Sequence, residues 1–314
     1  MPDIVWIMTK RVYIHSGAHR TGTSSFQMCL WQNRAVLADA GFDVAYPGRD
    51  GIPQGRLKLQ LPRPRHGERR VRRFVGKLRG HLQGLSTDPA RALIVSEENI
   101  PGPMHHFYEG RFFPASAKRF AALAGALDGP PEHLLYVVRP YDALYVSAYR
   151  KRAEDNAVGP FAELVPNFLA MDRGWPELVT EMRDILKPKR LSIVAYAARG
   201  DSRSLLARLV PKLSPDALRE PREKVNLSAT DAALIHLQER YHAGENLTRD
   251  QWKEVLARFA DDRTPRGVAQ FDPAAQAELS ARYGDDMARL AGMEGSVLSV
   301  RRQRADFSPC VQRV

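Results

Sequence analysis

The chain has 314 residues, 44% hydrophobic and 26% charged, enough for a large folded core and too apolar for a disordered or low-complexity chain. Its cysteines, Cys29 and Cys310, stand near opposite ends, which excludes a disulfide framework and a cysteine-based metal centre. A surplus of 47 Lys and Arg over 36 Asp and Glu gives a net charge of +11 and favours anionic partners: nucleic acid, acidic glycan, membrane surface or a highly charged nucleotide.

No apolar run approaches the ~18–20 residues of a membrane span. Met1–Lys10 has neither a basic n-region nor a small-residue cleavage site, so the expected location is the cytoplasm. The first predicted element is a short strand, Val12-Tyr13-Ile14. It runs into a turn bounded by Gly17 and Gly22, after which Thr23, Ser24 and Ser25 are expected to cap a helix through Phe26, Met28, Leu30 and Trp31. Strand, glycine-bearing turn and helix start together bring backbone N–H groups and the positive end of a helix dipole to one point, which suits an anion. The glycine spacing is that of a nucleotide-binding P-loop, but Thr23-Ser24 follows Gly22 where that motif requires Lys-Ser/Thr, and the nearest cation is Arg20. The plain alternative is a strand-to-helix turn with no ligand.

Gly41–Pro47 adds a short edge strand, and Gly48–Pro64 reads as loop. Over Arg63–Arg79, Val71, Phe74, Val75, Leu78 and Leu82 fall at helical spacing opposite eight Lys or Arg, an amphipathic helix with a basic face. That face is either a solvated surface or a contact for an acidic acceptor or lipid headgroups. A second strand, Ala92–Val95, ends in Ser96-Glu97-Glu98-Asn99. Adjacent strand residues point to opposite faces, so one of the two carboxylates is expected to enter a site and act as general base, its pKa raised by partial burial. The other reading is a solvent-facing pair that ends the strand. His105 and His106 read as surface residues, and His15 and His19 flank the first loop without an assigned role.

The third strand, Leu134–Val138, runs into Arg139, with Asp142 and Ser147 on the helix that follows. Arg139 offers a bidentate guanidinium for a phosphate, or an ion pair with Asp142. A mostly helical stretch to Leu186 restarts at Trp175-Pro176. The fourth strand, Leu191–Tyr196, ends in a turn to Gly200, and a helix over Ser202–Leu213 precedes a basic loop, Pro221–Ser228. Helices over Asp231–His242, after a Thr248–Gln251 capping box, and from Asp272-Pro273 to Leu290 complete the chain before a fraying tail, Val300–Val314. Short strands that are apolar throughout, each followed by helix, predict a doubly wound α/β fold with a parallel sheet. Ligands in such a fold bind outside the carboxyl ends of the strands, so the site should collect the residues after each strand. A single domain over 1–314 is expected, its C-terminal portion helical over about 229–292.

With these blocks in view, the chain resembles the sulfotransferases that use 3′-phosphoadenosine-5′-phosphosulfate, in particular their bacterial, carbohydrate-type branch. The resemblance runs in matching order from Val12 to about Leu290. It implies a P-loop-type doubly wound parallel sheet flanked by helices, with the 5′-phosphosulfate held by Arg20, Thr21, Gly22, Thr23, Ser24 and Ser25. It also implies a 3′-phosphate site at Arg139 and Ser147, and cofactor contacts from Arg222, Lys224 and Asn226. Aligning Ser96 with the family's strand-end serine makes Glu98 the implied base, with Glu97 in reserve and Arg20 stabilising the transferred group. The implied reaction is in-line sulfuryl transfer, without a metal, to a hydroxyl or amine of a saccharide or glycolipid. Peripheral membrane contact through the basic face is possible and no nucleic acid is expected. Three departures stand out: Arg20 where most of the branch has Lys, Pro140 directly after Arg139, and Leu144 near a second arginine position. The rival readings are a catalytically decayed fold that binds an acidic glycan or nucleic acid, and a P-loop kinase.

Overall fold

The computed structural model describes residues 10–49, 51–222 and 228–299. Its strands are β1 (Val12–Gly17), β2 (Phe42–Ala45), β3 (Ala92–Ser96), β4 (His133–Val138), β5 (Leu191–Ala195) and β6 (Ser296–Ser299). They form one sheet in the order β2-β3-β1-β4-β5-β6, with every neighbouring pair parallel. Every residue of β1, β3, β4 and β5 is buried, which is why these strands lack apolar-polar alternation: both faces of the sheet are covered. Ile14 sits between Val95 and Leu134 in the register, so β1 is central.

The helices are α1 (Thr23–Gln32), α2 (Arg34–Asp39), α3 (Glu68–Leu85), α4 (Ser116–Ala126), α5 (Tyr141–Asp155) and α6 (Phe161–Leu169). After these come α7 (Trp175–Glu181), α8 (Ser202–Leu209), α9 (Asp231–His242), α10 (Arg249–Arg258) and α11 (Pro273–Ala291). Thr248 and Gln251 form the expected capping box, and Asp272 accepts from Ala275 N at the start of α11. None of the helices among the described residues is long and apolar enough to cross a membrane.

One predicted boundary moves, and one strand appears that was not expected. The basic helix begins at Glu68 and not at Arg63, because a residue before proline avoids helical φ/ψ and Arg63 precedes Pro64. The helical C-terminal part does not end the described chain: α11 returns it to the sheet, where Ser296–Ser299 pairs with the open edge of β5 as β6.

Alternate strand residues face opposite layers. Tyr13, Leu135 and Val137 pack with Phe26, Leu30, Leu37 and Leu206 of α1, α2 and α8. Ile14, Tyr136 and Val138 pack with residues of α3, α4, α5, α7 and α11. The chain therefore leaves β1 towards one layer and leaves its neighbours β3 and β4 towards the other. A crevice opens outside the carboxyl end of β1, where such folds bind ligands.

Two buried histidines clamp this sheet. His133 lies 2.7 Å through Nδ1 from Leu209 O and 2.8 Å through Nε2 from Ser192 Oγ, so the ring donates to the carbonyl, accepts from the hydroxyl and is neutral. His15 lies 2.9 Å from Ser96 Oγ and stacks on Phe26 at 3.8 Å. Burial pushes His133 down to about 4, and burial followed by the charge of Arg199 pushes His15 down to about 3, from 6.5. Both folded-state values lie below the unfolded one, so the unfolded chain binds more protons as pH falls. Stability should thus be full above pH 6.5 and decline below it towards pH 4, by about 1.4 kcal/mol per pH unit for each histidine. Urea denaturation across that range checks this; a midpoint constant from pH 7 to pH 4.5 would contradict it.

Candidate functional site

The crevice is built first by the β1–α1 loop. Arg20 and Gly22 both have left-handed backbones, with φ of 65° and 86°. The loop is pinned by Ala18 N donating to Val137 O at 2.8 Å and Thr21 Oγ1 donating to Ala18 O at 2.7 Å. Gly22 occupies the cap position of α1 with no side-chain cap bond, so Thr23, Ser24 and Ser25 lie within the first turn and do not cap it as expected. The N–H groups of that turn have no carbonyl four residues back and point at the loop. Thr23 Oγ1 and Ser16 Oγ are buried without a hydrogen-bond partner among the described residues.

Around this loop the ends of β4 and β5 contribute two more cations. Arg139 follows β4 directly, and its Nη1 donates to Arg20 O at 3.0 Å and to Ser147 Oγ at 3.3 Å. The two blocks singled out in sequence are thus in direct contact, across 119 residues of chain. The Arg139 carbonyl accepts from Trp175 Nε1 at 2.9 Å, which fixes the backbone behind the guanidinium. Asp142 does not pair with Arg139: its carboxylate takes Gln276 Nε2 from α11. Pro140 serves as the cap of α5, and Leu144 is fully buried in the core, which accounts structurally for both departures at this motif.

Arg199 follows β5. A Cβ placed on Gly22 would lie 2.8 Å from its Cζ, so the guanidinium packs directly on the loop. Arg139 Nε and Arg199 Nε are both buried without a hydrogen-bond partner. None of Arg20, Arg139 and Arg199 forms an ion pair with a carboxylate among the described residues, and Arg20 Nη2 is instead 2.6 Å from Ser228 Oγ. Burial lowers the pKa of Arg139, as expected for a cation short of counter-charge.

The carboxylates after β3 divide. Glu97 is 5% exposed and accepts from Arg49 Nη2, Asn99 N and Asn99 Nδ2, so it closes the β3 turn. Glu98 turns towards the crevice, with Oε1 3.4 Å from Arg49 Nη2 and 3.6 Å from His19 Nδ1. Burial raises its pKa, but the charges of His19, Arg49 and Arg20 outweigh burial and bring it down to about 2. The expectation of a raised value fails here: the partners around this carboxylate come from β1 and β2, which a reading of the β3 segment alone does not weigh. Beside it, a cleft of 220 Å³ is lined by His19, Asn99, His105, Tyr108, Lys151 and Arg152. His105 and His106 lie on a single 3-10 turn, with His106 Nδ1 3.4 Å from Glu109 Oε2.

The structure therefore gathers Arg20, Thr21, Gly22, Thr23, Arg139, Ser147 and Glu98 at one crevice, with Glu97 as its support and with Ser24 and Ser25 in the first turn of α1. Arg222 lines a separate cavity of 1010 Å³ with Trp31, Arg34 and Arg219, near the other end of α1. Lys224 and Asn226 lie outside the described residues. Arg199, Tyr196 and Arg49 were missed, and His19, noted beside the loop without a role, lies 3.6 Å from Glu98. Each follows a strand, and Tyr196 stacks on Arg139 with its ring centroid 5.4 Å from Cζ. The rule that the site collects post-strand residues would have found the missing three.

No model of a known protein family matches the chain, and no characterised protein matches it in sequence. The packing of Arg199 on Gly22 is directly testable. Gly22→Ala should destabilise the fold by about 1–2 kcal/mol from the left-handed backbone alone, with a further loss from displacing the guanidinium. Arg199→Ala should relieve that further loss, so that the double variant is more stable than the two single losses predict. Denaturation of all four proteins checks it; additivity within about 0.3 kcal/mol would refute the contact.

Proposed function

We propose that this protein is a sulfotransferase that moves a sulfuryl group from 3′-phosphoadenosine-5′-phosphosulfate to a hydroxyl or amine of an acceptor, with a saccharide or glycolipid as the preferred class. The observation that carries the reading is the hydrogen bond from Arg139 to Arg20 O, within a group of three guanidiniums that have no carboxylate partner among the described residues. The three side chains are half-buried, and the Nε atoms of Arg139 and Arg199 are buried without a partner, a partial desolvation that a ligand's counter-charge would offset. Two anion positions, one at the β1–α1 loop and one at Arg139 and Ser147, fit a donor with phosphates at both ends.

In this reading Arg20, the first-turn N–H groups of α1, Thr23 and Ser24 hold the sulfated 5′-phosphate, and Arg139 with Ser147 holds the 3′-phosphate. The donor supplies an activated sulfuryl group on a phosphate leaving group. The acceptor oxygen or nitrogen forms the new bond to sulfur as the bond from sulfur to the bridging phosphate oxygen breaks, and Glu98 takes the acceptor's proton. Positioning and charge stabilisation do most of the work, as in phosphoryl transfer. An anion bound at Arg20 offsets part of the field that keeps Glu98 near 2, so the carboxylate becomes a better base when the donor is present. Acceptors would enter through the cleft beside His19.

The low basicity of Glu98 favours one second reading, a non-catalytic protein that binds polyanions in the same crevice. A kinase reading has no lysine after Gly22 to support it. Calorimetry with 3′-phosphoadenosine-5′-phosphate separates these. The sulfotransferase reading expects micromolar binding, weaker binding of ATP and at least tenfold loss in Arg139→Ala. Glu98→Gln should keep bisphosphate affinity and lose about 10²–10⁴ in turnover. Equal affinity for ATP, or no binding, would overturn the reading; binding without turnover on any acceptor would favour the polyanion-binding protein.

A further inference from the structure

The segment from Gly51 to Leu85 carries ten Lys or Arg and one acid, Glu68, a surplus of nine charges in a chain whose whole surplus is eleven. All ten cations are exposed, from Arg56 and Lys58 through Arg63 and Arg65 to Arg69, Arg70, Arg72, Arg73, Lys77 and Arg79. Only Arg72 forms an ion pair among the described residues, a weak one 3.7 Å from Glu68. The apolar side of α3 is already used: Leu78, Leu82 and Leu85 are buried, and Val75 meets α4 where a Cβ on Gly125 would be 3.3 Å away. The lead-in is anchored too, with Arg119 Nη1 donating to Pro62 O at 2.9 Å and Lys118 Nζ to His66 O at 2.8 Å. The basic face is thus rigidly held, with Arg79 Nη2 also donating to Gly125 O of α4 at 2.6 Å, and its helical cations are exposed.

We propose that α3 and the segment leading into it form a docking surface for an anionic lipid bilayer, held by charge without insertion. On a helix, Arg69, Arg70, Arg72, Arg73, Lys77 and Arg79 spread over about half the circumference along roughly 15 Å. A rigid polyanion pairs with one row of such a face. A plane of headgroups attracts every cation within a Debye length, about 8 Å, and so engages most of the arc. Nor does the face offer what single-stranded nucleic acid needs for base stacking. Its exposed positions carry no aromatic side chain for base stacking, since Phe74 is half-buried and stacked on His66 at 5.2 Å. The 180 Å³ cavity that reaches α3 touches it at Leu82 and Gln83, clear of the helix's cations. The inference is independent of the reaction carried out in the crevice.

The test is sedimentation of the full chain with vesicles of phosphatidylcholine, with and without phosphatidylserine, at low and high salt. Binding should require phosphatidylserine and be reversed by salt. The triple variant Arg69→Gln, Arg73→Gln, Lys77→Gln should bind about a hundredfold more weakly, about fivefold for each cation neutralised. A control with the same loss of charge elsewhere, Arg249→Gln, Lys253→Gln, Arg263→Gln, should bind like the original chain; unchanged circular dichroism verifies that each variant is folded. Absence of binding to anionic vesicles, equal loss in both triple variants, or tight binding of soluble heparin or RNA with none of vesicles would overturn the proposal.

Discussion

The structure turns on a concentration of like charge at the carboxyl edge of a buried sheet. Arg20, Arg139 and Arg199 converge on one loop, and the first turn of α1 adds the positive end of its dipole. Two of these guanidiniums have a buried Nε with no partner, so part of their hydration is lost without replacement. Such an arrangement is unfavourable in the free protein, a cost that the proposed anionic donor would offset.

The rest of the fold resists the tendency of these cations to swing into water. Trp175 holds the Arg139 carbonyl, and Trp175 itself is fully buried, stacked on Tyr141 and edge-on to Phe112. Tyr141 in turn accepts from Trp175 N and donates to the buried Asp286 of α11. The C-terminal helices thus brace a site formed by N-terminal strands. On the other side, Glu97 ties the β3 turn to Arg49, and neutral His15 joins β1 to Ser96 without adding charge beneath the loop. The crevice is supported on both flanks.

Charge on this protein has two different physical settings. In the crevice it is desolvated, close-packed and able to shift the proton affinity of Glu98, because the local dielectric screens little. On α3 it is hydrated and screened within a Debye length, so it acts collectively on extended surfaces. The same residue type, arginine, therefore sits in two different electrostatic settings, half-buried and close to Glu98 in one place and exposed in the other. Burial makes the difference.

How much was legible in the sequence follows from the range of each interaction. The four apolar strands, the edge strand after Gly41, the β1–α1 loop and the Arg139–Ser147 spacing could be read because each depends on neighbours within about ten residues along the chain. The sequence also determined, through Pro64 and the Thr248–Gln251 box, where helices begin. Only the tertiary structure decided that Arg139 touches Arg20, that Arg199 lies on Gly22, and that Ser296–Ser299 completes the sheet beside β5. It likewise reversed the expected proton affinity of Glu98, because His19 and Arg49 reach that carboxylate from two other strands. Local pattern fixes backbone geometry, whereas electrostatics depends on distance through space, and that distance exists only once the chain has folded.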